Sequence, residues 1–348
     1  MRASQILKTP LADIGVQRTV DQYAARFETQ KPQANSAENA SLSAEYYSLV
    51  TDFYLHGWGR LFHFGVRKKG ESHKESLMRY ETYLADKLEL KKGETCLDVG
   101  CGVAGPMINM AKHTRAHITG INNLPYQLSK ARQFVMEEGV QNECSFLECD
   151  WMEMPLPDRK FDKAYAIEAT CHAAERRAEL FTEIHRLLKP GGLFGGYEWV
   201  MTDKFNPWNK EHSEIKHKIE IGDGISNLNF KEDVVRALTE AGFEIIECRD
   251  RAAECDEETP WYLPLKGNLF SITHLRTGPV GRILMHYGLK VLEALRIVPK
   301  GSTKVHGILE TAADGLVRGG EEKIFTPMLF FLARKVEPAK ETIFMKIS

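Results

Sequence analysis

The chain has 348 residues, 43% of them hydrophobic, and a formal net charge of −2. That length accommodates one large domain, or a domain with a lid, around a sizeable core. A nearly neutral, slightly acidic chain has no global attraction for a polyanion, which argues against nucleic acid as the main partner.

Residues 1–44 read as an N-terminal arm, poorly ordered or loosely docked, because KPQANSAENASLS is polar and lacks sustained periodicity. Residues 45–90 carry the aromatic segment GWGRLFHF (57–64) and then a helix, since Leu77, Tyr80, Leu84 and Leu88 recur at helical spacing. An alternation of short elements fills 91–254. Residues 95–99 read as a strand and 106–112 as the helix after it. A second strand spans 117–121. Leu124, Leu128, Ala131 and Val135 share one face of the next helix, with Pro125 near its start and Gly139 at its end. Further strands follow at 145–148, 161–167 and 193–200. Leu180, Ile184, Leu187 and Leu188 mark a helix stopped by Pro190 and Gly191. Such a βαβ rhythm implies a mostly parallel sheet with helices on both faces.

After residue 200 the rhythm breaks. Residues 201–229 are polar and hold a glycine-rich turn, IGDGIS. Val234, Ala237, Leu238 and Ala241 resume a helix, and strands are expected at 243–247 and 325–333. Between them lies an extra block, 255–323, with Trp261, Tyr262 and a long apolar segment through Ile283, Leu284, Tyr287, Val291 and Leu295. It is placed to act as a lid. Residues 324–336 form the final core strand and 337–348 a tail.

Seven cysteines without a C-x-x-C pair point to free thiols in a reducing compartment, and against zinc. No N-terminal stretch resembles a signal peptide, and MLFFLA (328–333) is strand-sized rather than membrane-spanning. The expected location is cytoplasmic, with contact at a membrane surface. Self-association is left open.

The most informative stretch is TCLDVGCGVAGP (95–106), where Gly100, Gly102 and Gly105 satisfy G-x-G-x-x-G. Glycine lets the chain turn sharply after a strand and bring its backbone N–H groups to a ligand. Nicotinamide, flavin and methyl-donor enzymes all use versions of this pattern. With the lead-in LKKGE, the acid Asp98 and LKPGG (188–192), the segment resembles class I S-adenosylmethionine-dependent methyltransferases. That resemblance implies a Rossmann-like, seven-stranded sheet closed by an antiparallel pair. It also implies S-adenosylmethionine as cofactor, S-adenosylhomocysteine as product, and no metal.

Ligands in such sheets lie beyond the carboxyl ends of the strands. The expected cofactor-binding residues are therefore Asp98, Gly100, Cys101, Gly102 and Gly105 after strand one, and Asn122, Asn123 and Gln127 after strand two. Asp150 and Trp151 follow strand three, and Ile167 ends strand four. Many class I enzymes have an acid where Asn122 and Asn123 stand; amides donate and accept without charge. Helix capping competes as the role of Asn123, and a core position as the role of Trp151.

IEATCHA (167–173), YEWVMTD (197–203), IEIGDGI (219–225), IFTPMLFFLARK (324–335) and GWGRLFHF together resemble the sterol C-methyltransferases, over roughly residues 45–336. What this implies is methyl transfer to a carbon of a sterol, with 255–323 as the family's C-terminal region. Phe53, Tyr54, Trp58, Phe62, His63 and Phe64, with Trp261 and Tyr262, are the expected substrate contacts, because aromatic faces bury a rigid apolar ligand and favour nearby cations. A plain hydrophobic helix is the competing role of the upstream cluster. The catalytic candidates are His56, Tyr54, Glu168, His172 and Glu198, the last three expected to face the crevice.

One departure bears on the acceptor atom. The family's side-chain (carbon-24) enzymes commonly read YEYGWG or YEWGWG; here the segment is YLHGWG, with Leu55 in place of the acid and His56 in place of an aromatic. Losing a carboxylate weakens the case for a carbocation at carbon 24. Gaining an imidazole favours an enolate route to carbon 4 of a 3-keto sterol. Two other functions compete: an N-methyltransferase acting on a phospholipid amine or another small molecule, and a non-catalytic sterol-binding protein.

Overall fold

The computed structural model describes residues 16–29, 36–266 and 279–336. The extreme N-terminus, the stretch 30–35, residues 267–278 of the expected lid block and the tail 337–348 lie outside the described residues. Two helices precede the aromatic segment: α1 (Val16–Thr29) and α2 (Ser36–Gly57). The arm expected to dock loosely thus contains a helix whose Val16, Val20 and Tyr23 are buried, at helical spacing, against Leu42, Tyr46, Leu49 and Val50 of α2. Those three apolar positions are diluted by ten polar or small neighbours, so average polarity hides them. Helix α3 (His73–Lys87) follows. It starts with a capping box in which Ser72 and Glu75 satisfy each other's backbone N–H.

The core is a seven-stranded sheet in the order β3-β2-β1-β4-β5-β7-β6. The chain lays down β1 (Thr95–Val99), α4 (Gly105–Thr114), β2 (His117–Asn122), α5 (Pro125–Glu137), β3 (Cys144–Glu148), β4 (Phe161–Ile167), α6 (Arg177–Leu187) and β5 (Leu188–Met201). The first five strands pair in parallel. Then come α7 (Lys210–Asp223), α8 (Lys231–Glu240) and β6 (Phe243–Asp250). Strand β7 (Phe325–Lys335) slots between β5 and β6, antiparallel to both. Between β6 and β7 lie α9 (Leu263–Lys266), α10 (Pro279–Ala294) and α11 (Ser302–Glu321). Strand β5 begins earlier than its apolar run. Lys189 precedes a proline and takes extended backbone, so LKPGG joins the strand instead of ending in a turn.

The polar stretch after β5 hides α7. Ile215 and Ile219 are its buried residues at helical spacing, and Gly224 ends it in the left-handed region at φ +69°. Of the glycines expected to form a turn, Gly222 is instead a packing residue. A Cβ there would lie 2.4 Å from the Ala312 Cα of α11. This close crossing packs α11, from the block between β6 and β7, onto α7.

Gly222→Ala is predicted to lower stability by about 1–3 kcal/mol, since backbone rather than a flexible side chain must move. Gly288→Ala, in α10 with nothing within 4 Å of the new methyl, should be neutral or stabilise by up to about 1 kcal/mol. Thermal unfolding of the two variants tests the contrast; equal effects would contradict it.

Candidate active site

Two adjoining spaces open at the carboxyl ends of the strands, of about 1200 Å³ and about 1210 Å³ counted to their open mouths. The first is a cleft over β1, β2 and β4. Asp98, Gly100, Cys101, Gly102, Gly105, Asn122, Asn123, Gln127, Asp150, Trp151 and Ile167 all line it. The sequence grouped these residues from four separate loops, and the fold brings every one to the same cleft.

The loop after β1 is shaped by its glycines. Gly100 and Gly102 have φ of +80° and +53°, a region that side chains disfavour. At Gly100 a Cβ would strike Ala169 at 2.7 Å, whereas at Gly102 it would meet nothing within 4 Å. The backbone at Gly102 is therefore open to the cleft. Asn122 is held from three sides: its amide donates to Gln127 Oε1 at 2.8 Å and Gly102 O at 3.3 Å, and its Oδ1 accepts from Leu124 N at 3.0 Å. The N-cap of α5 is Leu124, without a side-chain cap, so Asn123 does not cap the helix and the Asn122 bond to Leu124 N is a turn leading into it. Gln127 donates in turn to Thr51 Oγ1 of α2 at 3.0 Å. Asp98 is buried and accepts from Tyr165 Oη at 2.8 Å. Burial pushes its carboxyl up to about 7, against the Tyr165 hydrogen bond, and a cation in the cleft would favour its ionised form. A backbone cradle, a buried acid and an aromatic face at Trp151 fit a cationic nucleoside such as S-adenosylmethionine.

The second space is walled by aromatic rings. Phe53, Tyr54, His56, Trp58, Phe62, His63 and Phe64 all line it, joined by Trp199 from β5. Leu55 lines neither space. The aromatic cluster is thus a cavity wall rather than a plain packing helix. Trp261 and Tyr262 line neither space either. Trp261 is core, its ring 5.0 Å from Phe64 and 5.9 Å from Phe325, so it backs the wall instead of forming it. His63 is committed to a buried pair, with Nε2 2.8 Å from Glu81 and Nδ1 2.7 Å from Phe64 O. Burial pushes its imidazolium down, but Glu81 outweighs this and the net direction is up.

The two spaces meet at Tyr47, Phe62, His63, Glu168 and His172, which line both. Glu168 sits just beyond β4 at φ +53°, a strained conformation of the kind found at functional sites. Its Oε1 accepts from Phe64 N at 2.7 Å and its Oε2 from the Trp199 indole at 2.8 Å. Burial, opposed by the nearby His63 charge, pushes its carboxyl up to about 8 from the ordinary 4.5. The unfolded chain releases this proton first, so the folded state loses stability as pH rises across that window. His172 lies 3.1 Å from both Gly224 O and Tyr47 Oη. The carbonyl can only accept, so Nδ1 carries the proton and Nε2 accepts from Tyr47. Burial lowers its pKa to about 4, leaving a neutral ring with both nitrogens engaged. Glu198, expected to face the crevice, lines neither space. It is fully buried, bonded to Thr170, and its Oε2 lies 3.5 Å from Arg177 Nε. That makes it a structural ion pair under the site.

Sequence reasoning missed Tyr47, Trp199 and Asp223. Asp223 closes α7 and lines the aromatic cavity. It is buried, its Oδ2 has no hydrogen-bond partner among the described residues, and burial raises its pKa well above the carboxylate range. A signal existed, because Ile215, Ile219 and Asp223 share one helical face. All seven cysteines are free thiols. Among the described residues no cluster of histidine, cysteine or acidic side chains could hold a metal ion.

Because a side chain at Gly102 would meet the cleft rather than the protein, Gly102→Val should retain the fold, at a cost of about 1–3 kcal/mol for its positive φ, and weaken S-adenosylhomocysteine binding at least about tenfold, which is about 1.4 kcal/mol. Unchanged affinity by titration calorimetry in a folded variant would contradict the placement of the loop.

Comparison with known proteins identifies the lineage. The methyltransferase-domain profile matches residues 97–195, and the sterol methyltransferase C-terminal profile matches 272–337. A cycloartenol-C-24-methyltransferase of Arabidopsis thaliana is 46% identical over 305 residues, covering 88% of this chain and 90% of that protein. A sterol 24-C-methyltransferase of Saccharomyces cerevisiae is 42% identical over 333 residues, covering 93% and 86%. Among solved structures, a cyclopropane synthase from Mycobacterium tuberculosis shares the fold with a TM-score of 0.61 at 16% identity, over 91% of this chain and 98% of that one. With S-adenosylmethionine as its cofactor and a class I methyltransferase fold, the chain belongs to the sterol C-methyltransferase family.

Proposed function

We propose that this protein transfers the methyl group of S-adenosylmethionine to a sterol, at carbon 24 of an unsaturated side chain. The observation that carries this reading is the junction of the two spaces at Glu168 and His172: a cleft suited to a cationic nucleoside opens directly onto an apolar, aromatic-walled cavity. When bound, the cofactor supplies an electrophilic methyl on a sulfonium. The residues of the chain do the rest. Asp98 and the Gly100–Gly102 backbone hold the donor, with Asn122 and Gln127 at its ribose edge. Phe62, Tyr54 and Trp199 exclude water and present π faces to the cation that develops on the sterol. The alkene pair forms the new carbon–carbon bond, and a neighbouring C–H pair restores an alkene as its proton passes to a carboxylate. Of the carboxyl groups that line the cavity, Glu168, Asp223 and Glu310, the first lies at the junction with the donor cleft and the second is near enough to feel its charge. The acid missing at Leu55 does not weaken this reading, because that side chain is not on the cavity wall.

A second reading, methylation of carbon 4 in a 3-keto sterol, is favoured by His56, which lines the same cavity from the last turn of α2. Here His56 would take the α-proton. Offering Δ24 sterols beside saturated 3-ketones, with labelled donor and product fragmentation, separates the two. Methylation of the Δ24 substrates alone is expected, and His56→Ala should then change the rate only a few-fold. Methylation of the ketones at the ring would establish the second reading instead.

The ionised form of Glu168 is the one that serves, so kcat/KM should rise with pH through an apparent ionisation near 8. In Glu168→Gln the rise should vanish and the rate fall more than about tenfold. A flat wild-type profile between pH 6 and 9 would remove Glu168 from the chemistry.

A sterol must reach the cavity from lipid. Among the described residues no helix is long and apolar enough to cross a membrane. Helix α10 instead has two working faces. Leu289 is buried and Met285 lines the cavity while remaining partly exposed; Ile283, Leu284, Tyr287, Val291 and Leu295 stand exposed beside Lys290 and Arg296. This apolar stripe with cationic flanks is continuous, through Met285, with the cavity mouth, and fits an anionic lipid surface. Replacing Leu284, Tyr287 and Leu295 together by glutamate should abolish sedimentation with phosphatidylserine vesicles. Transfer to vesicle-borne sterol should go with it, while transfer to cyclodextrin-delivered sterol should survive. Unchanged vesicle binding, or a dimer that covers the stripe, would contradict this.

A further inference from the structure

The acceptor cavity is not apolar throughout. Arg282 of α10 and His306 and Glu310 of α11 line it together, among Leu265, Met285, Leu309 and Leu316. None of the three lines the donor cleft. They are close but loosely joined: Arg282 Nε lies 3.6 Å from Glu310 Oε2, and His306 Nε2 lies 3.7 Å from Glu310 Oε1. Both separations exceed hydrogen-bond length. His306 is 5% exposed. Its Nδ1, together with Nε and Nη1 of Arg282, is buried without a hydrogen-bond partner among the described residues. Buried donors left unmade are costly, and native proteins rarely carry several together. A purely structural clamp between α10 and α11 would have closed these gaps.

We infer that Arg282, His306 and Glu310 form a subsite for the 3-hydroxyl group of the sterol. The inference rests on the sterol reading above and deepens it. A hydroxyl is both donor and acceptor. Its oxygen takes a hydrogen bond from the Arg282 guanidinium, and its proton goes to Glu310 or to the unprotonated nitrogen of His306. Burial, with the neighbouring charges of His286 and Arg282, holds the His306 imidazole neutral, with its pKa lowered to about 4. The His286 ring, 5.8 Å from that of His306, lies behind the group.

The placement has a consequence for which carbon is methylated. The 3-oxygen and the side chain stand at opposite ends of a rigid sterol. With the hydroxyl on α10 and α11, the side chain points to Glu168 and the donor cleft. Carbon 4, adjacent to the oxygen-bearing carbon, is held away from the methyl. The trio therefore both anchors the substrate and selects the side-chain carbon.

The test uses the full-length protein with a Δ24 3β-hydroxysterol, its 3-deoxy analogue and its 3-ketone. Equilibrium dialysis reads sterol binding, and labelled methyl transfer reads kcat/KM. The wild type should prefer the hydroxysterol to the 3-deoxy analogue by roughly a hundredfold or more, because the deoxy compound leaves the buried donors unpaired. Arg282→Met should lower affinity and kcat/KM for the hydroxysterol about 10–100-fold while leaving the 3-deoxy analogue nearly unchanged, so the preference collapses. Arg282→Lys should restore part of it, and S-adenosylhomocysteine affinity should not move. A preference that persists in Arg282→Met would overturn the subsite, as would an equal loss for both sterols accompanied by a lower melting temperature, the mark of a structural clamp. Sterol binding with the expected preference but no methyl transfer would leave the subsite standing and overturn the proposed reaction; failure to bind any sterol would overturn both.

Discussion

The arrangement depends on one buried carboxyl group. Glu168 leaves β4 in a strained left-handed conformation and spends its two oxygens on Phe64 N and the Trp199 indole. Those two bonds join three pieces of chain distant in sequence: the aromatic segment, the end of β4 and the end of β5. They also fix the boundary between the two cavities. An acidic group at such a boundary is poorly solvated, so it rests partly protonated, and its charge becomes favourable only when a cation is beside it. A sulfonium donor on one side and a developing carbocation on the other would supply that condition.

Charged and polar groups surround Glu168, and of these His63 and His172 also line both cavities. Glu198 and Arg177 are paired beneath it, and Glu81 is paired to His63 behind it. His172 is neutral and tied to Gly224 and Tyr47, which makes it a positioning group that links the cleft to the end of α7. The acidic groups that remain available to a ligand are Glu168 at the junction, Asp223 on the aromatic cavity and Glu310 on α11. Separating carboxyls in this way lets an apolar cavity carry charge at two ends while its middle stays dry.

Much of this was legible in the sequence where function follows from local pattern. The glycine loop, the residues after β2 and β3 and the parallel sheet could be placed because strand ends and turn glycines are short-range features. The antiparallel closure by β7 came from resemblance. The residues that escaped are those whose role is set by tertiary contact. Tyr47 and Asp223 reach the site only because α2 and α7 cross over it, and the isoleucine spacing of α7 is thin within a polar stretch. Trp261 and Glu198 were misplaced for the opposite reason: their chemistry suits a site, but packing behind Phe64 and over Arg177 consumes it. Leu55 is the same lesson in miniature. A departure in a motif matters only if the side chain faces the ligand, and the rotation of about 100° per residue along α2 turns Leu55 away while Phe53, Tyr54 and His56 line the cavity.

The account makes a claim about orientation, and the most direct measurement is a crystal structure with S-adenosylhomocysteine and a Δ24 sterol bound together. It predicts the homocysteine chain over the Gly100–Gly102 backbone, the sterol side chain at Glu168, and the 3-hydroxyl among Arg282, His306 and Glu310. A sterol bound in reverse, with its hydroxylated ring against Glu168, or one lying outside the aromatic cavity, would contradict it.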